Sequence, residues 1–269
     1  MLIASGPMLL LRRLRKRLGN EIRFALTAWV YFTRVPLPAG LSRWVGYEAD
    51  YLSCSARYFP VVGVAVGALG AAVYLLALRR FPPSVAVLLS MAATLLITGA
   101  FHEDGLADCF DAFGGAYTRE DTLRIMHDSR IGAFGAIALV LALLLKWQVL
   151  TALPSARVAW LMIGAHAASR STAISLMLSL DYVRDQGRAK PLAQRLGLGA
   201  AAVAGLTGLV CLIWPDWRWA CGALLLLLLL RAFLAHWFKR RLGGYTGDCL
   251  GLTQQLSELA LYLLALAWT

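Results

Sequence analysis

The stretch Tyr58–Leu78, YFPVVGVAVGALGAAVYLLAL, runs for twenty-one residues without a formal charge. A helix rising about 1.5 Å per residue crosses the hydrocarbon of a bilayer in ~20 such residues, so this stretch reads as a transmembrane span. Gly63, Gly67 and Gly70 recur every three or four positions along it, which leaves one face bare for the close approach of a second helix. Arg79 and Arg80 stop it at the far interface. Working outward, the same reading identifies Val85–Phe101, Ile131–Leu150, Val158–Leu180, Leu196–Trp214, Trp219–Phe238 and Gln254–Trp268 as further spans. The expected fold is an all-α, polytopic integral membrane helical bundle with about seven transmembrane helices, forming a single embedded domain over residues 1–269. Composition agrees, since 59% hydrophobic residues and a mean hydropathy of +0.66 leave too little polar surface to cover a soluble globule.

The N-terminal side departs from this pattern. A short apolar run precedes Arg12, Arg13, Arg15, Lys16 and Arg17, the reverse of the charge order of a secretory signal peptide. Residues 1–20 are expected to be an uncleaved basic segment lying on anionic lipid at the cytoplasmic face. The apolar part of the next stretch, Ile22–Phe32, is too short to span and is closed by Arg34, Pro36 and Pro38, so a re-entrant or interfacial helix is expected there. The net charge of +11 sits in clusters between apolar blocks, where cytoplasmic retention explains it and nucleic-acid binding is not expected. Five cysteines show no metal or disulfide spacing and read as packing residues.

Polar chemistry concentrates in three places. The first is FHEDGLADCFDAFGG, Phe101–Gly115, where Glu103, Asp104, Asp108 and Asp111 fall within nine residues. On a helix the three aspartates lie within roughly 60° of one another with Glu103 flanking them. Like charges so close repel unless a cation sits among them, and oxygen ligands without cysteine or a histidine pair point to magnesium or manganese. The alternative is a solvated acidic loop. The second place is IMHDSRIGAFGA, Ile125–Ala136, where Asp128 is a further metal ligand or a base and Arg130 holds a phosphate, or the two simply pair at a helix end. The third is GGYTGDCLG, Gly243–Gly251, whose glycines around Thr246, Gly247 and Asp248 either converge N–H groups on an anion or end a helix. Arg170, buried in the fourth span with His166 one turn away, is a candidate phosphate ligand. His166 itself reads as an interior histidine rather than a base. Together these describe a site for a metal-bound pyrophosphate and, hence, phosphoryl-group transfer.

In order along the chain, HEDGLAD with Asp111 and Gly114-Gly115, REDTLRIMHDSRIGAFGA, and GYTGDCLG with QQLSEL resemble the cobalamin synthase (adenosylcobinamide-GDP ribazoletransferase) family over nearly the whole length. Ala112, His127 and Leu252 stand where that pattern usually has glycine, lysine and alanine; none removes a carboxylate. The resemblance implies a Mg²⁺-dependent enzyme of late vitamin B12 synthesis in the bacterial cytoplasmic membrane. It would join α-ribazole or its 5′-phosphate to adenosylcobinamide-GDP and release GMP. The candidate substrate contacts are His102, Arg130, Arg170, Thr246, Gly247 and Asp248, and a homo-oligomer is left open. Two rival classes share some features. A CDP-alcohol phosphotransferase-like lipid synthase would need an Ala-Arg pair after its DG, whereas Ala107 is followed by Asp108. A secondary transporter would carry acids near span midpoints, and the spans here read as nearly acid-free. Loop charges predict an inward N-terminus, seven crossings, an outward C-terminus and a site meeting the cytoplasm.

Overall fold

A computed structural model describes residues 5–184, 196–213 and 216–268. Among these the regular structure is helical apart from a single bridge between Tyr182 and Tyr245. The chain opens with α1 (Ser5–Phe32), then the short α2 (Ala39–Val45) and α3 (Ala49–Ser55), which continues through a 3-10 turn into α4 (Phe59–Ala77). After Pro82, α5 (Pro83–Thr98) returns and bends by 88° into α6 (Phe101–Gly115). Next come α7 (Arg119–His127), α8 (Ala133–Ala152), α9 (Ser155–Ser175), α10 (Leu198–Ile213), α11 (Trp217–Leu242) and α12 (Gly247–Ala267). Four helices among the described residues are long and apolar enough to cross a membrane: the continuous run Tyr51–Ala77, α8, α11 and α12, with a fifth if the bent α5–α6 pair counts as one span. The other expected spans are also helical. However, α5 and α10 have only 16 residues each, and α9 carries Arg157, His166 and Arg170. The chain is an all-α polytopic membrane bundle.

Its surface is that of a protein dissolved in lipid. Ile137, Val140, Leu141 and Leu144 of α8 and Leu225, Leu228, Leu229 and Phe233 of α11 are exposed, far more apolar area than a water-facing surface leaves uncovered. In contrast, 72% of the apolar window of α12 is buried against 22% of that of α8, so α12 is the central helix.

The glycine face of α4 meets α9. A Cβ at Gly63 would collide with the His166 carbonyl, and one at Gly67 would lie 2.8 Å from Ile163 Cα, so the two helices run antiparallel at backbone contact. On its other side α9 packs antiparallel to α12, His166 beside Glu258 and Ser169 beside Gln254. Consequently α4 and α12 point the same way. The loops meet at one end. Arg241 at the end of α11 donates to the Ala116 carbonyl (2.6 Å), Arg119 to the Leu242 carbonyl (2.7 Å), and Asp111 of α6 receives N–H groups from the start of α8.

Three readings are settled or changed. The N-terminal segment and Ile22–Phe32 are not separate, because α1 runs unbroken from Ser5 to Phe32. The polar stretch 102–130 holds two helices, α6 and α7, rather than the alternative of a solvated acidic loop, α7 being capped by the Thr118 side chain on Asp121 N–H. The last helix begins at Gly247 rather than near Gln254, because Thr246 caps it by accepting from Cys249 N–H. Glu258 therefore sits in mid-helix, buried. The bundle interior also holds more charge than its acid-poor sequence suggests. Lys146 of α8 lies 3.0 Å from Glu258, which also accepts from Gln254 (2.6 Å) and Tyr262 (3.1 Å). Such a pair, buried on both sides, is retained only with its polar atoms satisfied, which these donors achieve. The Asp181–Arg195 loop beyond residue 184 and the Trp214-Pro215 turn lie outside the described residues.

Candidate active site

The site is built where α6 crosses α12. A Cβ at Gly105 would lie 2.9 Å from the Asp248 carbonyl and 3.2 Å from Gly251 Cα, while one at Gly251 would lie 3.1 Å from the His102 carbonyl. Glycine on both sides lets the two backbones touch. This contact sets Asp104 and Asp108, on the outer face of α6, beside Asp248 in the first turn of α12. Asp104 is exposed, and Asp108 and Asp248 are half-buried. The charges acting on Asp108 are Asp248, Asp104 and Asp111, opposed by Arg184. Arg184 forms an ion pair with Asp248 at 2.8 Å.

Among the described residues no three His, Cys, Asp or Glu side chains already converge as a metal-ligand set. The donor chemistry nonetheless fits magnesium, which is held by one or two carboxylates with its remaining positions filled by water and substrate phosphate rather than by a protein cage. Asp104, Asp108 and Asp248 are the carboxylates placed to do this.

The structure separates the other expected residues from that face. Asp111 is turned onto the start of α8, its two oxygens accepting from Gly132 N–H (2.7 Å) and Gly135 N–H (2.8 Å), an acid satisfying a positive helix terminus. Glu103 is buried on the opposite side of α6 and accepts from Gln255 (2.8 Å). His102 is likewise buried, its ring stacked on Phe59 with centroids 5.5 Å apart. Arg170 is 1% exposed and donates to Nδ1 (3.0 Å) and the carbonyl (2.9 Å) of His166. Since a guanidinium only donates, Nδ1 must accept, so His166 is neutral and its 3.5 Å approach to Glu258 is not an ion pair. Arg170, His166, Glu258, Lys146, Gln255 and Glu103 thus form one inner polar network beneath the loop-side carboxylates.

Asp128 and Arg130 pair with each other at 2.7 Å, the arginine side chain 87% exposed. Hydrogen bonds from Arg130 pull the Asp128 carboxyl down to about 2, so at neutral pH it is an ionised, weakly basic partner of Arg130. Thr246 is fully buried as the cap of α12, and Gly247 is the first residue of that helix. The preceding Gly243 ends α11 in the left-handed region (φ 79°). Sequence reasoning passed over Arg184 and Lys146. Arg184 lies in a mixed polar loop with no periodicity to single it out, and Lys146 is one charge in an otherwise apolar span, the one signal that marked it.

A helical membrane bundle with a carboxylate face at its loop end defines an integral membrane protein with a candidate enzyme site, and comparison with known proteins narrows that class. Residues 24–266 match the family model described as Cobalamin-5-phosphate synthase. The chain is 56% identical to the adenosylcobinamide-GDP ribazoletransferase of Ralstonia pickettii over 90% of its own length and 94% of the relative's. It is 56% identical to that of Ralstonia nicotianae (89% and 93%) and 45% identical to that of a Shewanella species (94% and 97%). No solved structure matches. The chain belongs to the cobalamin-5-phosphate synthase family and is a transferase of cobalamin synthesis.

Proposed function

We propose that the protein joins α-ribazole 5′-phosphate or α-ribazole to adenosylcobinamide-GDP, releasing GMP, at the cytoplasmic face of the bacterial inner membrane. The observation that carries this reading is the Asp104–Asp108–Asp248 face, set by the Gly105–Gly251 contact. In the reaction a ribose hydroxyl oxygen forms a bond to the phosphorus nearest the cobinamide, and the bond from that phosphorus to the oxygen bridging to GMP breaks. The hydroxyl proton passes to a carboxylate of the open face, and GMP leaves with the bridging oxygen. Asp104, Asp108 and Asp248 would hold Mg²⁺, which when bound would supply charge neutralisation at the pyrophosphate. Arg184, released from Asp248 when a phosphate arrives, offers forked donors to its oxygens. Asp111 ties α6 to the start of α8, and the inner network ties α6, α8, α9 and α12 together within the bundle, so that the carboxylates stay where the reaction needs them.

The basic clusters Arg12–Arg17 and Lys239–Arg241 support an inward loop end, where nucleotide-activated substrate is available. The test is to incubate the purified protein in lipid nanodiscs with adenosylcobinamide-GDP, ribazole or its 5′-phosphate, and Mg²⁺. Equal amounts of GMP and of the cobalamin product are expected; neither product appearing with either acceptor contradicts the reading.

A further inference from the structure

A cavity of about 620 Å³ lies between the end of α1, the segment that follows it and the α5–α6 bend. Its volume falls within the ~300–1,000 Å³ of sites that enclose a small ligand. Tyr31, Tyr47 and Phe101 give it aromatic walls, and Arg34, Glu48 and Thr98 are among its polar groups. The bend beneath it is made of two successive left-handed residues, Gly99 (φ 69°) and Ala100 (φ 56°). At Ala100 that conformation is strained, and such strain persists only where the surroundings enforce it. Arg34 rests on this bend. Its backbone N–H donates to the Ile97 carbonyl at 2.7 Å, and a Cβ at position 99 would lie within 2.8 Å of Arg34 Cζ. Among the described residues the guanidinium has no hydrogen bond or ion pair of its own. Phe101, at the cavity wall, lies three positions before Asp104 on α6, about one helical turn from the carboxylate face.

We infer that this cavity receives the acceptor nucleoside, with its base between the aromatic walls and its 5′-phosphate on Arg34. The inference rests on the reaction proposed above and assigns one of its substrates to a place. Ribazole carries an uncharged dimethylated benzimidazole, whose edges ask for few hydrogen bonds and suit aromatic surroundings. Guanine carries several donors and acceptors on its edges, and a largely apolar cavity would leave them unpaired. The corrinoid donor is too large to be enclosed. A guanidinium without a protein partner at the wall is the group that reads a phosphate, because its forked donors match two oxygens at once. Glu48 is positioned to accept from ribose hydroxyls.

Equilibrium binding of each acceptor alone, without donor or Mg²⁺, separates this assignment from the reaction itself. Binding to the intact protein in nanodiscs is measured by titration calorimetry for ribazole 5′-phosphate and for ribazole. In Arg34→Ala, affinity for the phosphorylated acceptor is expected to fall at least tenfold, with that for ribazole changing less than twofold. Arg34→Lys should recover only part of the loss, and Tyr47→Ala should weaken both acceptors alike. Equal weakening of the two acceptors by Arg34→Ala, or no weakening of either, would overturn the assignment, as would competition for the cavity by GDP but not by ribazole. If wild-type protein shows the expected binding pattern yet releases no GMP under turnover conditions, the proposed reaction fails while the nucleoside pocket stands.

Discussion

Replacing Gly105 by alanine tests the contact that assembles the site. The added Cβ would lie 2.9 Å from the Asp248 carbonyl oxygen, 3.0 Å from Asp248 Cα and 3.2 Å from Gly251 Cα. All three are backbone atoms, which cannot swing aside. Restoring ordinary contact requires α6 and α12 to part by about half an ångström. Overpacking of this kind costs about 1–3 kcal/mol of stability. Because a displacement of ~1 Å can reduce turnover about a hundredfold, half of that predicts a roughly tenfold fall in kcat. The assay is GMP release at saturating substrates, with melting followed in detergent to confirm that the variant is folded. Gly197→Ala, where a Cβ meets nothing within 4 Å, should retain wild-type kcat. A folded Gly105→Ala protein within twofold of wild-type kcat would refute the argument that backbone contact places Asp248 beside Asp104 and Asp108.

Lys146→Met should lower stability by about 3–5 kcal/mol by leaving Glu258 buried and unpaired, and adding Glu258→Gln should recover most of it, both read by thermal unfolding. Asp111→Ala removes the acceptor of two α8 N–H groups and should cost about 1–2 kcal/mol in the same assay. Asp128, held near 2 by Arg130, contributes a pairing that is fully present above the ordinary carboxylate range and lost only as pH falls through about 2; Asp128→Asn should therefore leave the kcat profile between pH 5 and 8 unchanged. For topology, Tyr117→Cys in a cysteine-free background should resist an impermeant thiol reagent in intact cells, and Arg79→Cys should react; labelling at position 117 from outside would reverse the assigned orientation. Ala116 and Gly244 are buried and would be poor reporters.

The positions of the crossing helices were legible because an apolar run of bilayer length has few alternatives. So was the glycine face of α4, since close packing is the use of such a spacing. What sequence could not show is which way each polar side chain turns. Glu103 and Asp104 are adjacent, yet one faces Gln255 in the interior and the other faces out. Asp108 and Asp111 share a helix face by periodicity, but the start of α8 arrives at Asp111 and takes both its oxygens, a consequence of tertiary packing alone. Arg170 reads from sequence as a phosphate ligand, whereas the packing of α9 gives its guanidinium His166 as partner. The charge network was hidden because its members come from α6, α8, α9 and α12, with no local pattern to connect them.

The carboxylate face itself can be tested without turnover by titrating the purified protein with Mn²⁺ and following free metal by electron paramagnetic resonance. Asp108→Asn and Asp248→Asn, on different helices, should each weaken Mn²⁺ binding at least tenfold in the presence of GDP, and Asp128→Asn should not. Unaltered binding in both of the first two variants, or a larger loss in Asp128→Asn than in either, would contradict the site described.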